Sequence, residues 1–227
     1  YLSIKLFKYC YSKNISNKCF NVNYLSYNLM YVKNYSSLTK TGYVYGRKIL
    51  LDLLNQGLDA VDPYSITKQN INLKNDLLTI FGKTFDLTNF NNIYLIGAGK
   101  ATINVAKALD EILDNRVKDG IIIVKYGQFT KLNNIKVFEA AHPIPDQSGF
   151  DSTVKIVNLL KKTRNDDLLI CIFTGGCSSL MPYPYEHIGL NDKQQITKIL
   201  LNSGAEIFEI NTIRKHISMV KGGNLAS

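Results

Sequence analysis

The chain has no tryptophan, and only five prolines and four cysteines among its 227 residues. Cys10, Cys19, Cys171 and Cys177 show no C-x-x-C spacing, and no histidine joins them at zinc-finger spacing. That excludes a zinc ribbon or finger and a dithiol redox motif. Cys171 lies inside an apolar run, as a reduced core residue would, so a reducing compartment is expected, read as the cytoplasm. Long hydrophobic runs are missing too. Stretches such as Gly120 to Val124 and Leu168 to Phe173 fall far short of the roughly 20 residues a membrane-spanning helix needs, and no membrane partner is expected.

Acids are absent from residues 1–51, which hold seven lysines and Arg47. Residues 52–227 hold 19 basic and 18 acidic residues, so the formal net charge of +9 belongs almost wholly to the N-terminal extension. A basic nucleic-acid-binding body is thereby excluded, and no nucleic-acid partner is expected. Residues 1–44 are rich in Tyr, Asn, Ser and Lys with no helical or strand period, and are expected to be a disordered extension. A mitochondrial transit segment is the alternative; it shares the missing acids and the serines but favours Arg over Lys. The chain opens on Tyr and stops just after a glycine pair, and it reads as a fragment.

The centre of what is present is IYLIGAGKAT, residues 93–102. Ile93 to Ile96 read as a buried strand, Gly97 and Gly99 as a tight turn, and Ala101 to Leu113 as a helix. A strand, glycine turn and helix aim backbone N–H groups at an anion, and Lys100 adds a full charge. The pattern is neither a Walker A loop nor a dinucleotide fingerprint with its third glycine. It also fits a plain βα turn whose glycines serve packing.

Around this centre the spacing predicts a helix over Arg47 to Ala60, ended by Asp62-Pro63. A hairpin follows over Leu77–Ile80 and Lys83–Leu87. After Ile93–Ile96 and its helix come strands at Ile121–Lys125 and Ile135–Ala140, a helix at Phe150–Lys162, and a strand at Leu168–Phe173. That β-α-β-β-α-β order implies an α/β fold, a Rossmann-like parallel sheet flanked by helices on both faces. Right-handed crossovers bring three loops to one ligand-binding edge: Gly97 to Lys100, His142-Pro143-Ile144-Pro145-Asp146, and Thr174-Gly175-Gly176-Cys177-Ser178-Ser179. Gly175 and Gly176 could form a backbone nest, with Ser178 and Ser179 as hydroxyl donors; Asp146 fits a helix cap equally well.

A helix capped by Asn191 or Asp192 is expected to run to Ser203, with Gly204 closing it. Another is expected over Ala205 to Val220, with Ile210, Ile213, Ile217 and Val220 as its buried stripe. Asn211, Arg214, Lys215 and Ser218 line the opposite side, which fits either an anion-binding row or a solvated face.

Taken together, GAGKA (97–101), HPIPD (142–146), TGGCSSL (174–180) and SGAEIFEINTIRKHISMVKGGNLA (203–226) resemble the class II glycerate kinases, the glycerate 2-kinases associated with the MOFRL domain. The resemblance covers Tyr45 to Ser227 and implies the family's Rossmann-like N-terminal domain, with a second domain absent from this chain. It implies transfer of a phosphoryl group from ATP, with Mg²⁺, to D-glycerate, giving 2-phosphoglycerate. Lys100 is the catalytic residue it implies. Gly97, Gly99, Gly175, Gly176, Ser178, Ser179, Asn211, Arg214, Lys215 and Lys221 are expected to bind substrate or phosphate; no metal ligands are identified. Cys177 stands where the family has a third glycine, and the fragment alone is expected to be inactive. The alternatives are an NAD-binding oxidoreductase domain, though Val124-Lys125-Tyr126 offers no acid for a ribose, and a non-catalytic truncated binding module.

Overall fold

The computed structural model describes residues 4–5 and 31–226. Its main sheet is all parallel: β1 (Ile4–Lys5), β5 (Ile93–Ala98), β6 (Val117–Lys125), β7 (Ile135–Ala140) and β8 (Leu168–Phe173), in the spatial order β1-β8-β5-β6-β7. Buried residues of β5, β6 and β8 alternate between two cores. Leu95, Ile122, Val124, Ile170 and Ile172 face α4 (Thr102–Leu113), while Ile96, Ile121, Ile123 and Cys171 face α5 (Gln147–Leu160). The near-continuous apolar character of β5 and β8 follows from this double coverage. The chain is thus an α/β protein with a parallel sheet flanked by helices, as the periodicity implies.

On the α4 side, Val105, Ala106, Leu109 and Leu113 fill the space between sheet and helix. Leu109 is fully buried. Leu109→Ala is expected to cost about 3 kcal/mol of stability, the cavity adding to the lost transfer energy; urea unfolding would measure it as a lowered midpoint at unchanged slope.

Between residues 61 and 92, one α-helix and one strand escape the sequence reading. Asp62 and Pro63 do end α2 (Val44–Ala60), but they also start α3 (Pro63–Asn70), because Asp62 accepts the Ser65 N–H at 2.8 Å and Pro63 occupies the first turn. The expected hairpin, β3 (Leu77–Ile80) with β4 (Lys83–Asp86), gains a third antiparallel strand, β2 (Ile71–Lys74). Ile71, Leu78 and Ile80 of this small sheet join the α4-side core. Ile49, Leu50, Leu53, Leu54 and Leu58, whose spacing marks α2 as a helix, are exposed among the described residues.

The N-terminal extension is not structureless throughout. α1 (Tyr35–Leu38) sits beside α2, with the Tyr35 hydroxyl donating to Asp52 at 2.8 Å and Arg47 donating to the Leu38 carbonyl at 3.2 Å. Ile4 and Lys5 pair with Ile170 and Cys171 of β8. For residues 1–3 and 6–30 the expectation lies outside the described residues.

Two more boundaries shift. α7 (Leu190–Asn202) is capped by Gly189 rather than Asn191 or Asp192; Asp192 sits inside the first turn and accepts the Gly189 N–H at 2.9 Å. Gly204 follows this helix with φ +73°, as a closing glycine should. The helix expected over Ala205 to Val220 is shorter, α8 (Ile207–His216). Its continuation is captured by Tyr183, whose carbonyl accepts from the Met219 N–H at 2.8 Å and the Ser218 hydroxyl at 3.3 Å. Of the expected stripe, Ile210 and Val220 are buried, whereas Ile213 is 42% exposed.

Candidate functional site

From β5 the chain moves by α4 to β6 and then β7; from β7 it returns by α5 to β8 on the other side of β5. The order therefore reverses between β5 and β8, and a crevice at such a switch point is where open α/β sheets take ligands. The loops leaving these two strands meet there. Thr174 N–H donates to Ala98 O at 3.1 Å, and Lys100 N–H donates to Gly175 O at 2.9 Å.

These bonds change the reading of the Gly97–Lys100 turn. Gly99 N–H goes to Ile123 O at 3.1 Å, and Ala101 N–H to Thr174 Oγ1 at 3.2 Å. With Lys100 N–H also held, these amides serve the protein and not an anion. Gly97 and Gly99 act through close approach instead. A Cβ on Gly97 would lie 2.5 Å from Ile172 O, and one on Gly99 only 2.0 Å from Thr174 Oγ1. The packing explanation of these glycines is the one the geometry favours.

What the turn presents is the Lys100 side chain, exposed at the crevice. Its Cε lies 3.9 Å from where a Cβ on Gly175 would be, so it runs beside the glycine pair. Gly176, at φ +91°, lets the His142 ring approach, since a Cβ there would meet His142 Cδ2 at 2.9 Å. Burial, then the charges of Lys100, Lys125 and Arg214, hold the His142 imidazole below its ordinary pKa. Neutral His142 therefore sits among cations contributed by three separate parts of the chain. Asp146 is the cap of α5, accepting the Gly149 N–H at 2.9 Å and the Tyr126 hydroxyl at 2.7 Å.

The two serines part company. Ser178 is half-buried, whereas Ser179 is buried and donates its hydroxyl to Gly176 O at 3.1 Å, closing the turn of α6 (Cys177–Leu180). That donor is turned away from a ligand, contrary to the expected role. Cys177 has no positive φ to strain it. Burial pushes its thiol up to about 11, so it is neutral at physiological pH.

On the far lip, Asn211 and Lys215 of α8 are exposed and Arg214 is half-buried, where burial lowers its pKa. Lys221 donates to Met181 O at 2.8 Å, and burial, against the opposing influence of Cys177, brings it down to about 8. One cation escaped the sequence reading altogether. Lys193 of α7 is 2% exposed, and its ammonium has no hydrogen-bond partner among the described residues. Burial, then Lys221, then Arg214 depress it to about 7. Its sequence context, Asn191 to Gln195, is polar throughout, so nothing in the spacing signals a buried lysine.

The fold and this crevice define an α/β domain that gathers cations at its switch point. The chain belongs to the family described as a domain of unknown function (DUF4147), whose model matches residues 49–227. It is 41% identical over 180 residues to a glycerate 2-kinase of Pyrococcus horikoshii, covering 79% of this chain and 40% of the relative. It is 32% identical over 181 residues to a D-glycerate 2-kinase of Thermotoga maritima, with the same coverage. A crystal structure of a protein from Pyrococcus horikoshii superimposes with a TM-score of 0.72 at 40% identity, over 79% of this chain and 40% of that one. The chain thus spans about 40% of the length of these relatives.

Proposed function

We propose that this chain is the cation-bearing, Rossmann-like part of a glycerate kinase that transfers the γ-phosphoryl group of ATP to D-glycerate, giving 2-phosphoglycerate. The observation that carries this reading is the convergence of Lys100, Gly175, Gly176 and His142 at the sheet's switch point, with the charge of Arg214 acting on His142. Phosphoryl transfer asks for little covalent help from the protein; it asks for positioning and for neutralisation of charge spread over the transferred group. Lys100 supplies an exposed ammonium on a turn fixed through its own backbone. Arg214, with a planar fork, suits a carboxylate contact, and Asn211 and Lys215 extend that row. Among the described residues, no three His, Cys, Asp or Glu side chains are placed to hold a metal. Mg²⁺ keeps waters and substrate phosphates as ligands, and we assign it to the nucleotide.

The NAD reading has less support. β6 ends at exposed Lys125, where a dinucleotide site needs an acid for the ribose. We take the setting to be cytoplasmic; no helix among the described residues is long and apolar enough to cross a membrane.

The test is ATP-dependent product formation from D-glycerate by the full-length gene product, coupled through enolase and pyruvate kinase so that only 2-phosphoglycerate is registered. Absence of product would overturn the reading. The 227-residue chain alone is expected to show no measurable turnover, since it spans about 40% of the length of its kinase relatives; robust turnover by it would refute that expectation.

A further inference from the structure

We propose that Lys193, Arg214 and Lys221 form one anion subsite, and that the anion is the carboxylate of the acceptor acid. The identity of the acid rests on the kinase reading; the existence of the subsite does not.

A buried ammonium without a partner is costly, and proteins pair or hydrogen-bond such groups. Lys193 is 2% exposed with no acceptor. The charges acting on it are Lys221 and Arg214, both of its own sign. The neighbouring Cys177 is a neutral thiol at physiological pH, and its upward influence on Lys221 is outweighed by burial. His142, which also feels Arg214, is held neutral. Asp192, next in sequence, is taken by the Gly189 N–H. Three cations from α7, α8 and the segment after it are thus assembled with no carboxylate acting on Lys193. An arriving anion would supply what the fold leaves out.

The position favours a carboxylate over a phosphoryl group. Lys100, across the glycine pair, is solvent-exposed and suits a multiply charged phosphate that keeps part of its hydration. Lys193 is dehydrated, and a monoanion loses less solvation than a dianion on moving to such a place. α7 is fixed against the loop before α5, the loop that carries His142, through Gln194 Nε2 donating to Pro145 O at 2.7 Å. An anion beside Lys193 would favour its charged form and draw a proton from solution near neutral pH.

The experiment is thermal unfolding of the 227-residue chain and its Lys193→Met variant, with D-glycerate, glycerol or inorganic phosphate. D-glycerate at about 100 times its Kd is expected to raise the Tm of the parent chain by about 5 °C, and glycerol to leave it unmoved. Lys193→Met, relieved of a buried amine without a partner, is expected to melt about 5 °C above the parent without ligand and to ignore D-glycerate. Titration calorimetry in buffers of different ionisation enthalpy should show proton uptake with D-glycerate at pH 7.5 in the parent, and none in Lys193→Gln. A D-glycerate response that survives in both variants overturns the proposal, as does no response in the parent. A Lys193-dependent response to phosphate but not to D-glycerate overturns the carboxylate assignment. Protection by ATP, measured in parallel, separates the two readings: its retention with a failed D-glycerate response removes the subsite and leaves the kinase.

Discussion

Lys100→Ala is expected to lower kcat of the full-length gene product about 1,000-fold while KM for D-glycerate changes less than about threefold. The expectation follows from how the residue is held. Its N–H donates to Gly175 O at 2.9 Å, and its carbonyl accepts from Gln128 Nε2 at 3.0 Å. The backbone is therefore fixed at both ends, while the side chain stays exposed. The ion pairs of the described residues, Lys68–Glu111, Arg116–Asp76 and Lys136–Asp119, leave Lys100 out. A lone ammonium on a rigid turn is already placed for charge that grows as the phosphoryl group leaves, so its removal should fall on the transition state. Stability should hardly respond, because no buried contact is lost and such surface changes stay within about 0.5 kcal/mol. A variant that raises KM at unchanged kcat would show equal binding of ground and transition states, and would remove Lys100 from the chemistry. A fall in Tm matching the fall in activity would mean that the substitution acts through folding.

The parts of this architecture that could be read from the sequence are those where one face of an element decides its residues. β5, α4, β7 and β8 are apolar or amphipathic because the sheet is covered on both sides, and their periodicity places them within a residue or two. α3 was missed because Pro63 signals both a stop and a start, and the hydrogen bond from Ser65 to Asp62 that decides between them is local geometry. α8 ends short of its apolar spacing because Ile217 and Val220 keep the helical period after a distant carbonyl, that of Tyr183, has taken over the chain. At the site, the sequence brings Lys100 and the glycine pair to one edge but not the direction of their groups. Backbone amides expected to face an anion face Ile123, Thr174 and Gly175, and the Ser179 hydroxyl faces Gly176. Lys193 lay wholly beyond reach, since its burial is set by what α7 meets across the crevice.

Gly99→Ala is expected to be among the most destabilising single-methyl additions in the chain, at about 4 kcal/mol, against a total that for ordinary domains is about 5–15 kcal/mol. Gly99 has φ +141°, a region that side chains rarely adopt. Its added Cβ would also lie 2.0 Å from Thr174 Oγ1, 2.8 Å from Thr174 O and 2.9 Å from Thr174 C. Backbone cannot yield as a flexible side chain can. Thr174 is moreover held by Ala101 N–H at 3.2 Å and by Thr102 Oγ1 at 3.1 Å, so pushing it away breaks bonds that join the β5 and β8 loops. Gly82→Ala isolates the conformational part of the cost: φ is +80° there, and a Cβ would meet nothing within 4 Å. It should cost about 1–2 kcal/mol. Urea unfolding of both variants, with slopes compared to the parent, makes the measurement. Equal losses would mean that the two loops are not in contact. A much larger loss at Gly99, with the remaining folded protein no longer protected by ATP, would tie the close approach of two backbones to the position of the Lys100 ammonium.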